Sequence, residues 1–108
     1  MKHSRDDGRK DRDREACVGA LCDALLTLEE QSECIAFLRD LCTPAELEAL
    51  ADRWRVVPLL RAGKPYRAIH DETGVSVTTI GRIARFLDYG NGGYDLAYTR
   101  LSARQEKQ

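Results

Sequence analysis

Residues 64–87 read K-P-Y-R-A-I-H-D-E-T-G-V-S-V-T-T-I-G-R-I-A-R-F-L and predict a helix-turn-helix. Pro65 suits the first helical position, because the N–H that proline lacks would be unpaired there, and a short helix can follow it through residues 66–70. Gly74 can adopt the left-handed conformation that ends a helix, and the Ser76 hydroxyl can cap the helix that follows. The pattern therefore predicts two helices joined by a glycine turn.

The apolar positions of this segment fit the interior of a helix-turn-helix. Ile69 belongs to the first helix and Val75 follows the turn. Ile80 and Ile83 lie a turn apart on the second helix, which we expect over residues 77 to about 87. The outward residues at or near the amino-terminal half of the second helix are small and polar or cationic. This half meets base edges when such a helix enters the major groove, so we predict DNA contacts for Ser76, Thr78, Thr79 and Arg82.

The same spacing also fits two ordinary packed helices, and charge helps to separate the two interpretations. Residues 53–87 contain seven Arg and Lys and two acidic residues, a net charge of 7 − 2 = +5. Residues 15–52 contain one Arg and nine acidic residues, a net charge of 1 − 9 = −8, which the whole-chain value of −1 conceals. A basic segment that coincides with a helix-turn-helix is typical of phosphate contact, so we predict that double-stranded DNA is the partner.

Length and composition bound the remaining possibilities. A chain of 108 residues supports one domain, with a modest core unless it oligomerises. No apolar run approaches the roughly 20 residues of a membrane helix, and no signal peptide is recognisable, so we expect a cytoplasmic protein. The four cysteines form no C-x-x-C pair, and we expect free thiols, no metal site and no cofactor.

The chain divides by composition. Residues 1–14 are almost entirely charged or small and predict a disordered tail, with a basic arm along DNA as the alternative. Residues 15–108 predict a single all-α domain of about six helices. Within it we expect dimerisation helices over residues 15–63, the helix-turn-helix over residues 64–87, and a loop with a last short helix over residues 88–108.

Two capping boxes predict where helices begin. They are T-L-E-E at residues 27–30 and T-P-A-E at residues 43–46. The helix after the second box should run to about Ala62 and end at Gly63. Pro58 lies inside it and predicts a kink or an early stop, because proline removes one helical hydrogen bond.

The first helices are expected to form a dimer. Their apolar residues recur at helical spacing and offer more apolar surface than a monomer of this length can bury. A symmetric dimer also lets a helix-turn-helix reach two half-sites one turn of DNA apart. The acidic half would then build the dimer, and the basic half would face DNA.

Three runs resemble a known family. L-C-T-P-A-E-L-E-A-L-A-D-R-W-R-V-V at residues 41–57 and T-G-V-S-V-T-T-I-G-R at residues 73–82 are similar to the Trp repressor superfamily. F-L-D-Y-G-N-G-G-Y-D-L-A at residues 86–97 is similar to the YerC/YecD branch of that superfamily. The resemblance covers about residues 21–101 and implies an intertwined all-α homodimer with a helix-turn-helix at each end, acting in bacterial transcriptional regulation; of the possible regulators, we expect a repressor.

The resemblance also implies residue roles. Arg67 and His70 match residues that contact operator DNA, and Val77, Thr78 and Gly81 match recognition-helix positions that approach it. With the positions expected from the pattern, the predicted DNA-binding set is Lys64, Tyr66, Arg67, His70, Ser76, Val77, Thr78, Thr79, Gly81 and Arg82.

A ligand pocket is implied as well, with departures from the family. Thr43, Arg53 and Arg82 match residues that line the tryptophan pocket of the Trp repressor. Ile83 stands where the repressor has glycine, and Phe86 stands where it has serine. We expect these two side chains to fill a vestigial pocket, so that tryptophan is not required. The alternative is that Phe86 points elsewhere and the two arginines clamp the carboxylate of a different small effector.

These observations favour a homodimeric, sequence-specific DNA-binding regulator. The alternative from another class is a helical protein-interaction module whose acidic half is the working surface. An enzyme is not predicted, because no carboxylate pair, nucleophile with a base, or phosphate loop stands at usable spacing.

Overall fold

The structure, a computed structural model, describes residues 2–106, with side chains from residue 8 onward. The described residues form six helices and no strand, which confirms the all-α prediction: α1 (Lys2–Leu25), α2 (Gln31–Leu41), α3 (Pro44–Arg61), α4 (Tyr66–Thr73), α5 (Val77–Tyr89) and α6 (Gly93–Glu106). The chain divides into two compact units, the amino-terminal unit (Met1–Cys42) and the carboxy-terminal unit (Thr43–Gln108). None of the helices described is long and apolar enough to cross a membrane.

The amino-terminal unit begins with one continuous helix where the sequence predicted a disordered tail. α1 already includes Lys2, whereas Met1 lies outside the described residues. Six of residues 2–14 are Arg or Lys, which have good helix propensity, and extending an existing helix avoids the costly nucleation step. Low hydrophobicity prevents this segment from forming a core, but it does not prevent α1 from extending through residues 2–14.

The start of α2 differs from the predicted capping box at residues 27–30. The Thr27 hydroxyl donates a hydrogen bond to the Ala24 carbonyl oxygen at 2.6 Å, so Thr27 completes the turn after α1. Glu30 is the N-cap of α2, and its N–H donates to the Glu33 carboxylate at 3.2 Å. The helix therefore begins three residues later than predicted, because the threonine side chain bonds backward to its own preceding turn.

Apolar side chains of the amino-terminal unit remain accessible to solvent. No residue described in this unit is buried. Val18 is 60% exposed and Leu26 is 82% exposed, and Leu25, Ile35 and Leu41 are also exposed. This unit therefore presents apolar surface rather than a core of its own.

The carboxy-terminal unit encloses the core. α3 packs against α4, α5 and α6, and α5 also contacts α4 and α6. The buried residues are Val56, Val57, Ile69, Val75, Ile80 and Ile83. They include all four interior positions that the helix-turn-helix pattern predicted.

The capping box at residues 43–46 is confirmed. The Thr43 N–H donates to the Glu46 carboxylate at 2.8 Å, and the Glu46 N–H donates to the Thr43 hydroxyl at 3.2 Å. The early stop at Pro58 was wrong, because α3 continues to Arg61. The missing N–H removes only one hydrogen bond, and the Pro58 carbonyl oxygen still accepts from the Ala62 N–H at 3.0 Å. Gly63 follows with a positive φ of 78°, as expected where this helix ends.

The loop predicted after the helix-turn-helix is short in the structure. α5 extends to Tyr89, and α6 begins at Gly93 and continues to Glu106, so it is longer than the predicted short helix. Asp95 lies in the first turn of α6, where a carboxylate is favoured by the helix dipole. Its Oδ1 lies 3.1 Å from Arg61 Nη1, which joins α6 to the end of α3.

Candidate nucleic-acid interface

The predicted helix-turn-helix is formed by α4, the turn and α5. Pro65 is the N-cap of α4 rather than its first residue, with φ −63° and ψ 149°, so this position was predicted one residue too early. α4 continues to Thr73, beyond the predicted residues 66–70. Gly74 has φ 76°, the left-handed conformation that the turn was expected to need. The Thr73 hydroxyl donates to the Ile69 carbonyl oxygen at 2.7 Å and accepts from the Val75 N–H at 3.1 Å.

His70 is tied to this turn through one ring nitrogen. Its Nδ1 lies 2.7 Å from the Val75 carbonyl oxygen. A carbonyl oxygen only accepts hydrogen bonds, so Nδ1 carries the hydrogen and donates it. The imidazole therefore fixes the turn between the two helices, and Nε2 is the nitrogen that a ligand could use.

The amino terminus of α5 is capped as predicted. The Ser76 hydroxyl oxygen accepts from the Thr79 N–H at 3.2 Å and donates to the Thr79 hydroxyl at 3.0 Å. The hydroxyls of Ser76 and Thr79 therefore already have hydrogen-bond partners at the amino terminus of α5. Val77 and Thr78, the first two residues of α5, are exposed.

The cations near the helix-turn-helix are not equivalent. Lys64 Nζ pairs with Glu72 Oε1 at 3.0 Å, which offsets much of its charge. Arg55 Nη2 donates to the Glu72 carbonyl oxygen at 3.3 Å, near the end of α4. Arg67 and Arg82 are exposed and form no ion pair with any residue the structure describes. These two arginines are the members of the predicted set best suited to phosphate contact.

An open cleft of about 390 Å³ lies between α4 and α5. Its lining residues are Tyr66, Gly81, Ala84, Arg85, Asp88 and Tyr89. Tyr66 and Gly81 belong to the predicted DNA-binding set, whereas Arg85, an exposed cation that lines the same cleft, does not. The signal for Arg85 was its spacing, because residues four apart on a helix share a face and Arg85 follows Gly81 by four.

A second cavity, of about 260 Å³, brings the two predicted pocket arginines together. It is lined by Arg53, Thr79, Arg82, Ile83, Phe86 and Tyr94. Thr43 does not line it, and its hydroxyl serves the cap of α3 instead. The arrangement offers two guanidinium groups and an aromatic wall, which suits a small molecule with a carboxylate and an apolar part.

The expectation that Ile83 and Phe86 fill this pocket was wrong for Phe86. Ile83 is 2% exposed and belongs to the core, but Phe86 is 57% exposed and only borders the cavity. The reason is helical geometry. Leu87, four residues after Ile83, packs against the core, and Phe86 is left at the edge of that face.

The geometry defines the class of protein first: an all-α helix-turn-helix protein with accessible arginines on its α4–α5 motif. Residues 17–102 match the family described as Trp repressor protein, so the chain belongs to the Trp repressor family. This is a regulatory DNA-binding fold.

Individual relatives agree with this assignment. The uncharacterized protein YerC of Bacillus subtilis (strain 168) is 43% identical over 81 residues, which cover 75% of this chain and 78% of YerC. The crystal structure of a TrpR-like protein from Eubacterium eligens ATCC 27750 matches with a TM-score of 0.77 at 39% identity, over 81% of this chain and 90% of that chain. A Trp-repressor-like chain from Staphylococcus aureus matches with a TM-score of 0.76 at 39% identity, over 81% of this chain and 87% of that chain.

Proposed function

We propose that this chain is a sequence-specific DNA-binding regulator, a repressor of bacterial transcription that acts as a homodimer in the cytoplasm. The observation that carries the proposal is the surface of the helix-turn-helix. Arg67 and Arg82 are exposed without an ion pair among the described residues, and Val77 and Thr78 are exposed at the start of α5. Cations hold the phosphate backbone, and the first turn of a recognition helix reads base edges.

The homodimer is supported by the amino-terminal unit. Its large apolar side chains are exposed, as Val18 and Leu26 illustrate. Exposed large apolar side chains that follow helical spacing favour an interaction site, and a second copy of the chain provides a matching surface by symmetry. Two copies also carry two recognition helices, which a palindromic site requires.

A salt titration tests the function. We expect the protein to bind random duplex DNA with an affinity that falls steeply as salt rises, because each cation placed on a phosphate releases a counterion. A duplex selected from a random pool should bind about 10³-fold or more tightly than random duplex at the same salt. Absence of salt-dependent duplex binding would favour the protein-interaction module instead.

A small-molecule effector is the second candidate, and the cavity between Arg53 and Arg82 favours it. Because Phe86 does not occupy this space, a carboxylate ligand could reach both guanidinium groups. Tryptophan independence then rests on Ile83 alone, whose buried side chain stands where the Trp repressor has a glycine. We propose that the cavity takes a carboxylate other than tryptophan and that DNA binding does not require tryptophan.

Calorimetry with free tryptophan tests whether tryptophan or a different carboxylate is the effector. Heat of binding with a dissociation constant below about 1 mM, or a DNA affinity that rises with tryptophan, would contradict tryptophan independence. Arg53→Ala is the matched variant for any carboxylate that does bind. Loss of the Arg53 side chain should weaken binding of that carboxylate, because the cavity then keeps only the guanidinium group of Arg82.

A further inference from the structure

Gly81 lies in the interior of α5, and the fold does not explain why it is glycine. A helix-interior glycine destabilises a helix relative to alanine. A Cβ built on Gly81 would meet only the Tyr66 ring, at 3.9 Å from Cε2, which is an ordinary contact. The chain therefore has room for alanine at this position.

Two other glycines show what a structural requirement looks like. Gly74 has φ 76°, a conformation that strains any residue with a Cβ. At Gly90, a Cβ would collide with the Phe86 carbonyl oxygen. Gly81 has neither feature, so a contact with a binding partner explains the absence of a side chain at this position better than the fold does.

Val77 lies one helical turn before Gly81 on the same face of α5. Its side chain is 51% exposed although it is fully apolar. An apolar side chain at the start of a recognition helix can distinguish bases only by apolar contact. In the major groove, the apolar group on a base edge is the C5-methyl of thymine.

We propose that Val77, Gly81 and Tyr66 form an apolar notch that receives a thymine methyl group. Val77 lies one turn before Gly81 on the same face of α5, the Tyr66 ring lies 3.9 Å from where a Gly81 Cβ would stand, and the bare Gly81 backbone leaves the space for the methyl. This inference rests on the proposed DNA-binding function, and it makes Gly81 a specificity-determining residue for that function.

The test removes the thymine C5-methyl group from the DNA and, separately, adds a methyl group to the protein at position 81. A tight-binding duplex is selected from a random pool, and each thymine is replaced in turn by deoxyuridine, which lacks only the C5-methyl. Wild type, Gly81→Ala and Val77→Ala are then measured on every duplex. We expect one uracil position to weaken wild-type binding about fourfold, the effect of one buried methyl.

Gly81→Ala should lose about tenfold or more on the thymine duplex and less on the uracil duplex, because its new methyl fills the space that thymine has vacated. Val77→Ala should bring the thymine-to-uracil affinity ratio close to one. The thermal midpoint of Gly81→Ala should rise by several degrees, which shows that weaker binding does not come from misfolding.

The outcomes separate the notch from the function it serves. If a duplex is selected but Gly81→Ala loses equal affinity on both versions, or none, the notch is wrong and the DNA-binding function stands. If no duplex is enriched over random DNA, both are wrong.

Discussion

The two units of the chain use apolar residues in opposite ways. In the carboxy-terminal unit, aliphatic side chains such as Ile69 and Ile80 are fully buried. In the amino-terminal unit, residues of similar size such as Val18 and Ile35 are exposed. Charge differs as well, since the amino-terminal unit carries 7 Arg and Lys against 10 Asp and Glu, a net 7 − 10 = −3, and the carboxy-terminal unit carries 10 against 8, a net 10 − 8 = +2.

This difference shows that apolar periodicity alone does not identify a core. Both units have amphipathic helices, but among the described residues only those of the carboxy-terminal unit bury apolar side chains. We expect the carboxy-terminal unit to be stabilised by its own packing and the amino-terminal unit by a second copy. The variants below test that division.

The largest expected effect is in the core. Ile80→Ala should lower the free energy of unfolding by about 2 to 5 kcal/mol, because it leaves a cavity among residues that cannot fully collapse around it. Urea denaturation of wild type and variant measures the change. A loss below about 1 kcal/mol would mean that Ile80 is not a central packing residue.

Ile35→Ala is the matched change in the amino-terminal unit. As a surface residue of a monomer, Ile35 should contribute within about 0.5 kcal/mol. In a dimer interface, its truncation should weaken association by about 1 to 3 kcal/mol and make the thermal midpoint more dependent on protein concentration. Analytical ultracentrifugation gives the dissociation constant. A folded wild-type monomer at micromolar concentration would contradict the proposed dimer.

Sequence reasoning located the elements of the carboxy-terminal unit well because their signals are local. The Thr43 cap, the Gly74 turn and the Ser76 cap each depend on hydrogen bonds or backbone angles within a few residues. The T-L-E-E box carried the same kind of signal but failed, because Thr27 had a competing acceptor in the preceding turn. Local patterns predict helix ends only where no second local bond competes.

The candidate site was less predictable because it depends on side-chain direction. The family resemblance placed Arg53 and Arg82 at one pocket, and they do line one cavity. The position of Phe86 at the edge of α5 depends on which neighbour packs inward, and here it is Leu87. The pairing of Lys64 with Glu72 likewise requires the three-dimensional arrangement of α4 and the residues before it.

Within the helix-turn-helix, residues that contact phosphate and residues that read bases should respond differently to mutation. Arg67→Ala should weaken binding to all duplexes alike and reduce the slope of log affinity against log salt by about 0.9 for one lost phosphate contact. Thr78→Val should reduce sequence discrimination by about 1 to 3 kcal/mol and leave the salt slope unchanged if Thr78 contacts a base edge.

Arg104→Ala is the control for the Arg67 measurement, because it removes one exposed cation from α6 rather than from the helix-turn-helix. It should leave the slope close to that of wild type. Identical slopes for Arg67→Ala and Arg104→Ala would contradict phosphate contact by Arg67.

The smallest expected effect is at the start of the carboxy-terminal unit. Hydrogen bonds from the Thr43 backbone and side chain lower the pKa of Glu46 below 4.5. A carboxyl group whose pKa is lowered by folding stabilises the fold above its unfolded pKa, and this contribution is lost as pH falls through the folded value. Glu46→Gln should therefore be less stable than wild type at pH 7, and the two stabilities should converge in acid below pH 4.5. Urea denaturation across this range measures both curves. A difference that stayed constant with pH would show that ionisation of Glu46 does not contribute to the cap.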